Sequence, residues 1–428
     1  MSQFQIILTA IFGVFIMVGV VMFAGMRGGN VDDNVGDILI WGTIEKRDVR
    51  EVLQDLSNRD DRFSKVKYEE KDELEFDSIF TEALAEGEGP DIFLLPQSKI
   101  YKHQNKIVAI PYETFSLRDF KDYFIEEGEL YLTDDGILAL PFVIDPLVMY
   151  WNRTIFSRLG LVEVPRYWDN FFTFATNMTE RDEYLNILTS AVAFGEYGNI
   201  KNAKEIISTL IMQTGNPIIT RTGDIIKVVL SGFDDQSTAT ESAVRFYSEF
   251  SNPVKEIYSW NKSMPNSQNV FLAGDLALYF GFASELGELQ EKNPNLNFDV
   301  ALIPQTIGLK NNINFGKMYG LAISKSAENI KNSYDVMIAL IKGESLTYLN
   351  EITKLPPVSR ILLSQEPRDP YQNIFYKAAV SSKAFLDLDE EATDLIYQDM
   401  IESIVSGRRK ISEAIDRAGA EMTTLIKK

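Results

Sequence analysis

Residues 141–161 read Pro-Phe-Val-Ile-Asp-Pro-Leu-Val-Met-Tyr-Trp-Asn-Arg-Thr-Ile-Phe-Ser-Arg-Leu-Gly-Leu, and their reading decides the architecture. The run opens as an apolar strand with one acid, Asp145, inside it. Tyr150 and Trp151 follow, and Asn152 then stands where a helix N-cap belongs, its side chain able to accept from the free N–H groups of a first turn. The helix it starts runs over 153–159 and stops at Gly160, a residue free to turn left-handed. Beyond Val164-Pro165-Arg166-Tyr167-Trp168-Asp169 a second helix is expected, with Phe171, Phe172 and Phe174 as its apolar positions.

The residues before this stretch repeat the strand–helix alternation. Asp37-Ile-Leu-Ile-Trp41-Gly42-Thr43 is a short buried strand feeding a loop. Val49, Val52, Leu53 and Leu56 recur at helical spacing, and Phe63-Ser-Lys-Val-Lys-Tyr68 alternates as a second strand. A helix through Ile79, Phe80, Ala83 and Leu84, the turn Gly87-Glu-Gly89-Pro90 and the strand Asp91-Ile-Phe-Leu-Leu95 complete a β-α-β-α-β order. Such an order implies a parallel sheet covered on both faces, with ligands outside the carboxyl ends of its strands. Trp41, Gly42, Thr43 and Pro96-Gln97-Ser98 are therefore expected along one wall of a site.

Further on, the chain offers amphipathic helices over 199–215 and 238–250. A loop, Trp260-Asn-Lys-Ser-Met-Pro265-Asn266-Ser267, then leads through Gly274-Asp275 into the strand Leu276-Ala-Leu-Tyr-Phe280-Gly281. Taken in order, these pieces resemble bacterial extracellular solute-binding proteins of the maltose-binding type, the substrate-binding components of ABC transporters. The resemblance rests on the strand–Asn–helix–Gly-Leu succession of 141–161 and on Gly87-Glu88-Gly89-Pro90-Asp91-Ile92-Phe93. It rests also on the 276–282 strand ending in a Gly-aromatic pair, on Asn297-Phe-Asp-Val-Ala-Leu-Ile-Pro304, and on Gly-Lys-Met-Tyr-Gly-Leu-Ala-Ile-Ser over 316–324. It covers about residues 37–360. Maltose-type members place an aromatic and an acidic residue just after the third strand, where this chain has Leu95 and Ser98, which argues against a maltose-like ligand.

The resemblance implies an α/β, two-lobed fold of the periplasmic-binding-protein type (type II), with a sheet in each lobe. Lobe 1 is expected over 37–143 and 318–360, lobe 2 over 144–317 and 361–428, with hinge crossings near 142–145 and 319–322. It implies a small-molecule ligand, a sugar or another neutral or cationic solute, and an ABC permease as partner. No cofactor and no catalysis are implied.

Composition agrees with this reading and narrows it. A chain of 428 residues exceeds what one core comfortably organises. A net charge of −20 argues against a nucleic-acid partner, which calls for basic patches. Without cysteine there is no thiolate metal site, Cys nucleophile or lipidated Cys. With His103 as the single histidine, a His-based zinc site has one imidazole to draw on and is close to excluded, and a Ser-His-Asp triad has one candidate. Gly-x-Ser-x-Gly, P-loop and His-Glu-x-x-His patterns are absent. Asp134-Asp135, Asp234-Asp235 and the acids of 387–391 could serve glycosidic chemistry, but their polar contexts read as solvated surface.

Residues 4–26 carry no charge and are long enough to span a ~30 Å hydrocarbon core. The n-region lacks Lys and Arg, and cleavage after Ala24 or Gly25 would put Met22 or Phe23 at the −3 position, so an uncleaved anchor over 1–27 is expected in place of a signal peptide. Residues 28–36 read as a tether. Arg27, after the span, would favour a cytoplasmic body, but large domains translocate largely regardless of charge. The resemblance therefore decides, and it implies a globular part outside the membrane, extracellular or periplasmic, on a single-pass anchor.

Candidate ligand-binding residues are Trp41, Thr43, Phe142, Asp145, Trp260, Phe282 and Tyr319. Aromatic faces pack on the C–H faces of sugar rings while fixed polar groups take the hydroxyls. Asp145 is singled out because an acid in an apolar run needs a partner. In the resembled family this position often accepts from ligand hydroxyls or an amine. Trp41 and Trp260 are expected on opposite walls. Two other readings remain open on the same scaffold, a surface carbohydrate-active enzyme and a ligand sensor.

Overall fold

Two long strands, Leu140–Asn152 and Asn314–Ile323, organise the molecule. The computed structural model describes residues 35–232 and 237–426. The expected anchor, 1–27, and most of the tether lie outside the described residues. Among the described residues no helix is long and apolar enough to cross a membrane.

The amino-terminal β-α-β-α-β unit is β1 (Ile38–Gly42), α1 (Lys46–Arg59), β2 (Val66–Glu70), α2 (Phe76–Glu86) and β3 (Ile92–Pro96). α1 forms because Val49, Val52, Leu53 and Leu56 make one stripe, and all four are buried. α2 stops at Gly87, whose φ of 77° supplies the left-handed cap. β1 pairs in parallel with β2 and with β3.

β4 (Leu140–Asn152) is the opening stretch of the sequence reading. Asn152 caps α3 (Arg153–Arg158), accepting from Thr154 N at 3.0 Å and Ile155 N at 3.2 Å. β5 (Ile187–Val192), α4 (Ala203–Gln213), β6 (Leu276–Phe282), β7 (Phe298–Ala301) and β8 (Asn314–Ile323) follow, and α5 (Glu390–Val405) comes near the end.

The pairing order is β2-β1-β3-β8-β4-β6-β5. β4 changes partners midway. Residues 140–146 pair with β8, whereas 147–152 pair with β6 and β7. The β2–β1–β3 side and the β6–β5 side thus form two lobes joined through β4 and β8. The hydrogen-bonded path is continuous, a departure from the expected separate sheets, because β4 has 13 residues and serves both sides. Tyr131 clasps the join, its hydroxyl donating to Leu95 O at 2.8 Å and Met318 O at 3.1 Å.

Candidate ligand-binding site

A cavity opens where the carboxyl end of β3, the middle of β8 and the amino-terminal turns of α4 and α5 converge. Pro96, Gln97 and Ser98 line it from β3, Phe315, Lys317 and Tyr319 from β8, and Lys204 and Glu205 from α4. Phe385, Asp387 and Glu390 come from the run into α5, and Glu73 from the loop after β2. The position obeys the rule that α/β sheets bind ligands at strand carboxyl ends. Its volume is about 40 Å³, room for water and not for a sugar, so a solute requires the walls to part. Larger hollows of about 660 Å³ beside Leu161 and of about 510 Å³ beside Asn350 include none of these strand-end residues.

Register explains which side chains meet. Lys317 lies opposite Asp145, Tyr319 opposite Val143 and Phe282 opposite Leu147. Side chains alternate with a period of two, so Asp145, Leu147 and their partners share one face. The Lys317 ammonium stands 4.3 Å from the centre of the Phe282 ring and 3.5 Å from Glu205 Oε1. Burial alone would lower the Lys317 pKa, but Glu205, Asp145 and Glu390 outweigh it and hold the group above its ordinary value. Asp145 is 7% exposed and accepts from Ser284 N at 3.0 Å. Burial pushes its carboxyl up to about 6, against the pull of the Ser284 hydrogen bonds and of Lys317.

Lys204 stands apart from this cage. Its three N–H groups reach Asp387 Oδ2 at 2.6 Å, Thr393 Oγ1 at 2.6 Å and Glu390 O at 3.2 Å, so it ties α4 to α5. The Glu390 carboxyl is raised by burial, which the nearby Lys204 and the Ser98 hydroxyl partly offset.

Of the seven residues expected from sequence, half-buried Tyr319 lines the cavity, while Asp145 and Phe282 lie behind the lining beside Lys317. The wall 96–98 lies where it was expected. Trp41 ends β1, buried, with the Lys71 ammonium 4.0 Å from its ring centre, and neither it nor half-buried Thr43 lines the cavity. Phe142 is the extra residue of a β-bulge, since pairing passes from Tyr319–Val143 to Gly320–Pro141, and it is buried away from the cavity lining.

Trp260 corrects the expectation of a second wall. It is fully enclosed, with its indole N–H on Asn199 Oδ1 at 3.2 Å. Its loop folds inward because Asn199 Nδ2 holds the carbonyls of Asn261 and Met264 at 2.9 Å each. The acids of 387–391 are corrected too. Asp387 is 4% exposed in its pair with Lys204, and Glu390 faces the cavity.

Sequence reasoning missed Lys317, Lys204 and Glu205. Lys317 carried a usable signal, a lysine inside the apolar run 316–324, by the same argument that singled out Asp145. Lys204 and Glu205 sit in an ordinary amphipathic pattern, and only the fold turns that end of α4 inward. Among the described residues no group of three or more Asp, Glu, His or Cys side chains could hold a metal ion.

Comparison with known proteins agrees with the fold. The structure superposes on a cyclo/maltodextrin-binding protein complexed with maltotetraose, with a TM-score of 0.75 at 15% identity, over 94% of this chain and 99% of that one. The GacH receptor of Streptomyces glaucescens GLA.O, solved unliganded and with acarbose, gives 0.68 at 18% identity over 91% and 98%. A solute-binding protein of an ABC transporter from Thermotoga lettingae TMO, bound with α-D-tagatose, gives 0.66 at 16% identity over 91% and 99%. At such identities the likeness is one of fold. No curated protein matches the chain by sequence. The model of the bacterial extracellular solute-binding protein family matches residues 64–340, more than half of the chain, and the protein belongs to that family.

Proposed function

We propose that this protein is an extracytoplasmic receptor that captures a small polar solute, a sugar first of all, between its lobes and delivers it to an ABC importer. The observation that carries the reading is the cavity itself: strand ends and helix starts from both sides of the β4–β8 join, with polar and aromatic side chains interleaved. Tyr319 and Phe385 offer ring faces, and Gln97, Ser98, Glu205 and Glu390 offer partners for hydroxyls. The sugar-bound states of the structural neighbours support the same ligand class. On this reading the lobes divide as 37–143 with 318–360 and 144–317 with 361–428, and the apolar segment 4–26 tethers the body to the membrane.

The test is a thermal-shift screen of the detergent-extracted full chain against mono- and oligosaccharides. A sugar that binds only the folded state raises its stability. Closure should appear in small-angle scattering as a smaller radius with the sugar present and no product formed. Release of a cleaved glycan would favour the enzyme reading. Intact mass of the same preparation checks the tether, since a protein beginning near residue 25 means the segment is removed.

A further inference from the structure

The charges around the cavity do not balance. Lys204 and Asp387 form a closed pair whose donors are all used. Of the remaining groups in the lining, Lys317 is the one cation, set against Glu205, Glu390 and, at the rim, Glu73, with Asp145 behind it and Lys99 held in its own pair with Asp77. No ion pair engages Glu73 or Glu390 among the described residues: Lys204 and Lys99 favour the Glu390 carboxylate from a distance, each paired elsewhere, and the Ser98 hydroxyl adds a hydrogen bond. Closing the lobes over a neutral solute therefore encloses more carboxylate than cation, and buried unpaired charge is costly. The surroundings also show what they accept. The Lys317 ammonium rests on the Phe282 ring face with Glu205 beside it, an aromatic–carboxylate cage of the kind that holds ammonium groups.

We propose that the solute carries a protonated amine, an amino sugar being the class that fits, with the ammonium seated among Glu205, Glu390 and Glu73 beside Lys317. This rests on the receptor reading above and sharpens its ligand. The sugar body keeps the aromatic faces and the Gln97 and Ser98 polar groups, while the amine supplies the cation that the closed cavity lacks.

The test is calorimetric titration of the full chain with two trisaccharides that differ only in charge. One is the glucosamine trisaccharide with free amines, the other its N-acetylated counterpart. Maltotriose serves as a neutral sugar and spermidine as an amine without sugar. The free-amine trisaccharide should bind about tenfold or more tighter than the acetylated one, and added salt should weaken it selectively. Glu205→Gln and Glu390→Gln should each lower that affinity about tenfold and lower maltotriose affinity by a clearly smaller factor, since an amide still serves a hydroxyl but cannot pair an ammonium. Should one variant fail to fold, the other and the salt series carry the comparison. Equal or tighter binding of the acetylated trisaccharide or of maltotriose overturns the amine and leaves the sugar receptor standing. Binding of spermidine and of no saccharide upholds the amine and overturns the sugar. No binding of any of the four overturns both.

Discussion

Lys317 stands directly opposite Asp145 in the ladder between β8 and β4, so a cation and a carboxyl share the strands that join the two lobes. The lysine draws the Asp145 carboxyl down, yet burial still leaves it at about 6. Replacing Lys317 with Met removes that attraction. Asp145 should then titrate higher still, which carboxyl chemical shifts followed against pH will show. An unmoved titration would mean that the two groups are insulated from each other.

Trp260 should behave as core. Trp260→Ala empties a fully enclosed site and leaves Asn199 without its indole partner, a change that typically costs ~3–5 kcal/mol. Denaturant unfolding should register that loss, while sugar affinity at low temperature stays within a factor of about two. A large affinity loss with unchanged stability would return Trp260 to the cleft.

The contrast between these residues shows what the sequence could tell. Period-two alternation and the Asn152 cap were legible because they depend on neighbours in the chain, and Asp145 was legible because an acid in an apolar run demands a partner. Whether a tryptophan after a loop faces a cleft or a core depends on distant residues, here Asn199 holding the loop inward. Asp387 failed for the same reason, because Lys204, its neutralising partner, lies far away in sequence. Phe142 was lost to a single-residue bulge, which periodicity does not announce.

The Lys204–Asp387 pair should prove costly to break. Both side chains are buried, and Lys204→Met leaves the Asp387 carboxylate enclosed with no cation. Breaking one half of a buried pair typically costs ~3–5 kcal/mol. The double variant Lys204→Met with Asp387→Asn should recover part of the loss. A single variant as stable as the parent would show that solvent reaches the site freely.

Glu127 gives the fold a pH dependence of its own. Burial pushes its carboxyl up to about 8, and neither oxygen has a hydrogen-bond partner. It packs beneath β8, where a Cβ at Gly316 would collide with its Oε2. The folded state therefore keeps the proton while the unfolded chain loses it near the ordinary value, so this group's contribution is full below ~4.5 and falls away as pH rises towards about 8. Glu127→Gln keeps the shape without the titration. It should be more stable than the parent above pH ~8 by roughly 2–5 kcal/mol and nearly equal below pH ~4.5, by chemical denaturation at both ends. Parallel stability–pH curves for the two proteins would rule out a buried, neutral Glu127.

Arg221 should hold the closed form. It projects from the hairpin of Ile219–Thr222 and Ile225–Val228, and its guanidinium donates to Leu130 O at 3.1 Å and to Leu132 O. On the proposed lobe boundaries these bonds cross from one lobe to the other without any solute. Hydrogen bonds from a charged donor are worth ~1.5–3 kcal/mol, so Arg221→Ala should move the empty protein towards open forms. Apparent affinity falls in proportion to the fraction of protein in the competent form, which makes a loss of up to about tenfold the expected range. Small-angle scattering of the empty variant should give a larger radius than the parent, and saturating solute should restore the parent value. An unchanged radius in the empty variant, with affinity intact, would mean that packing along β4 and β8 keeps the lobes together without this arginine.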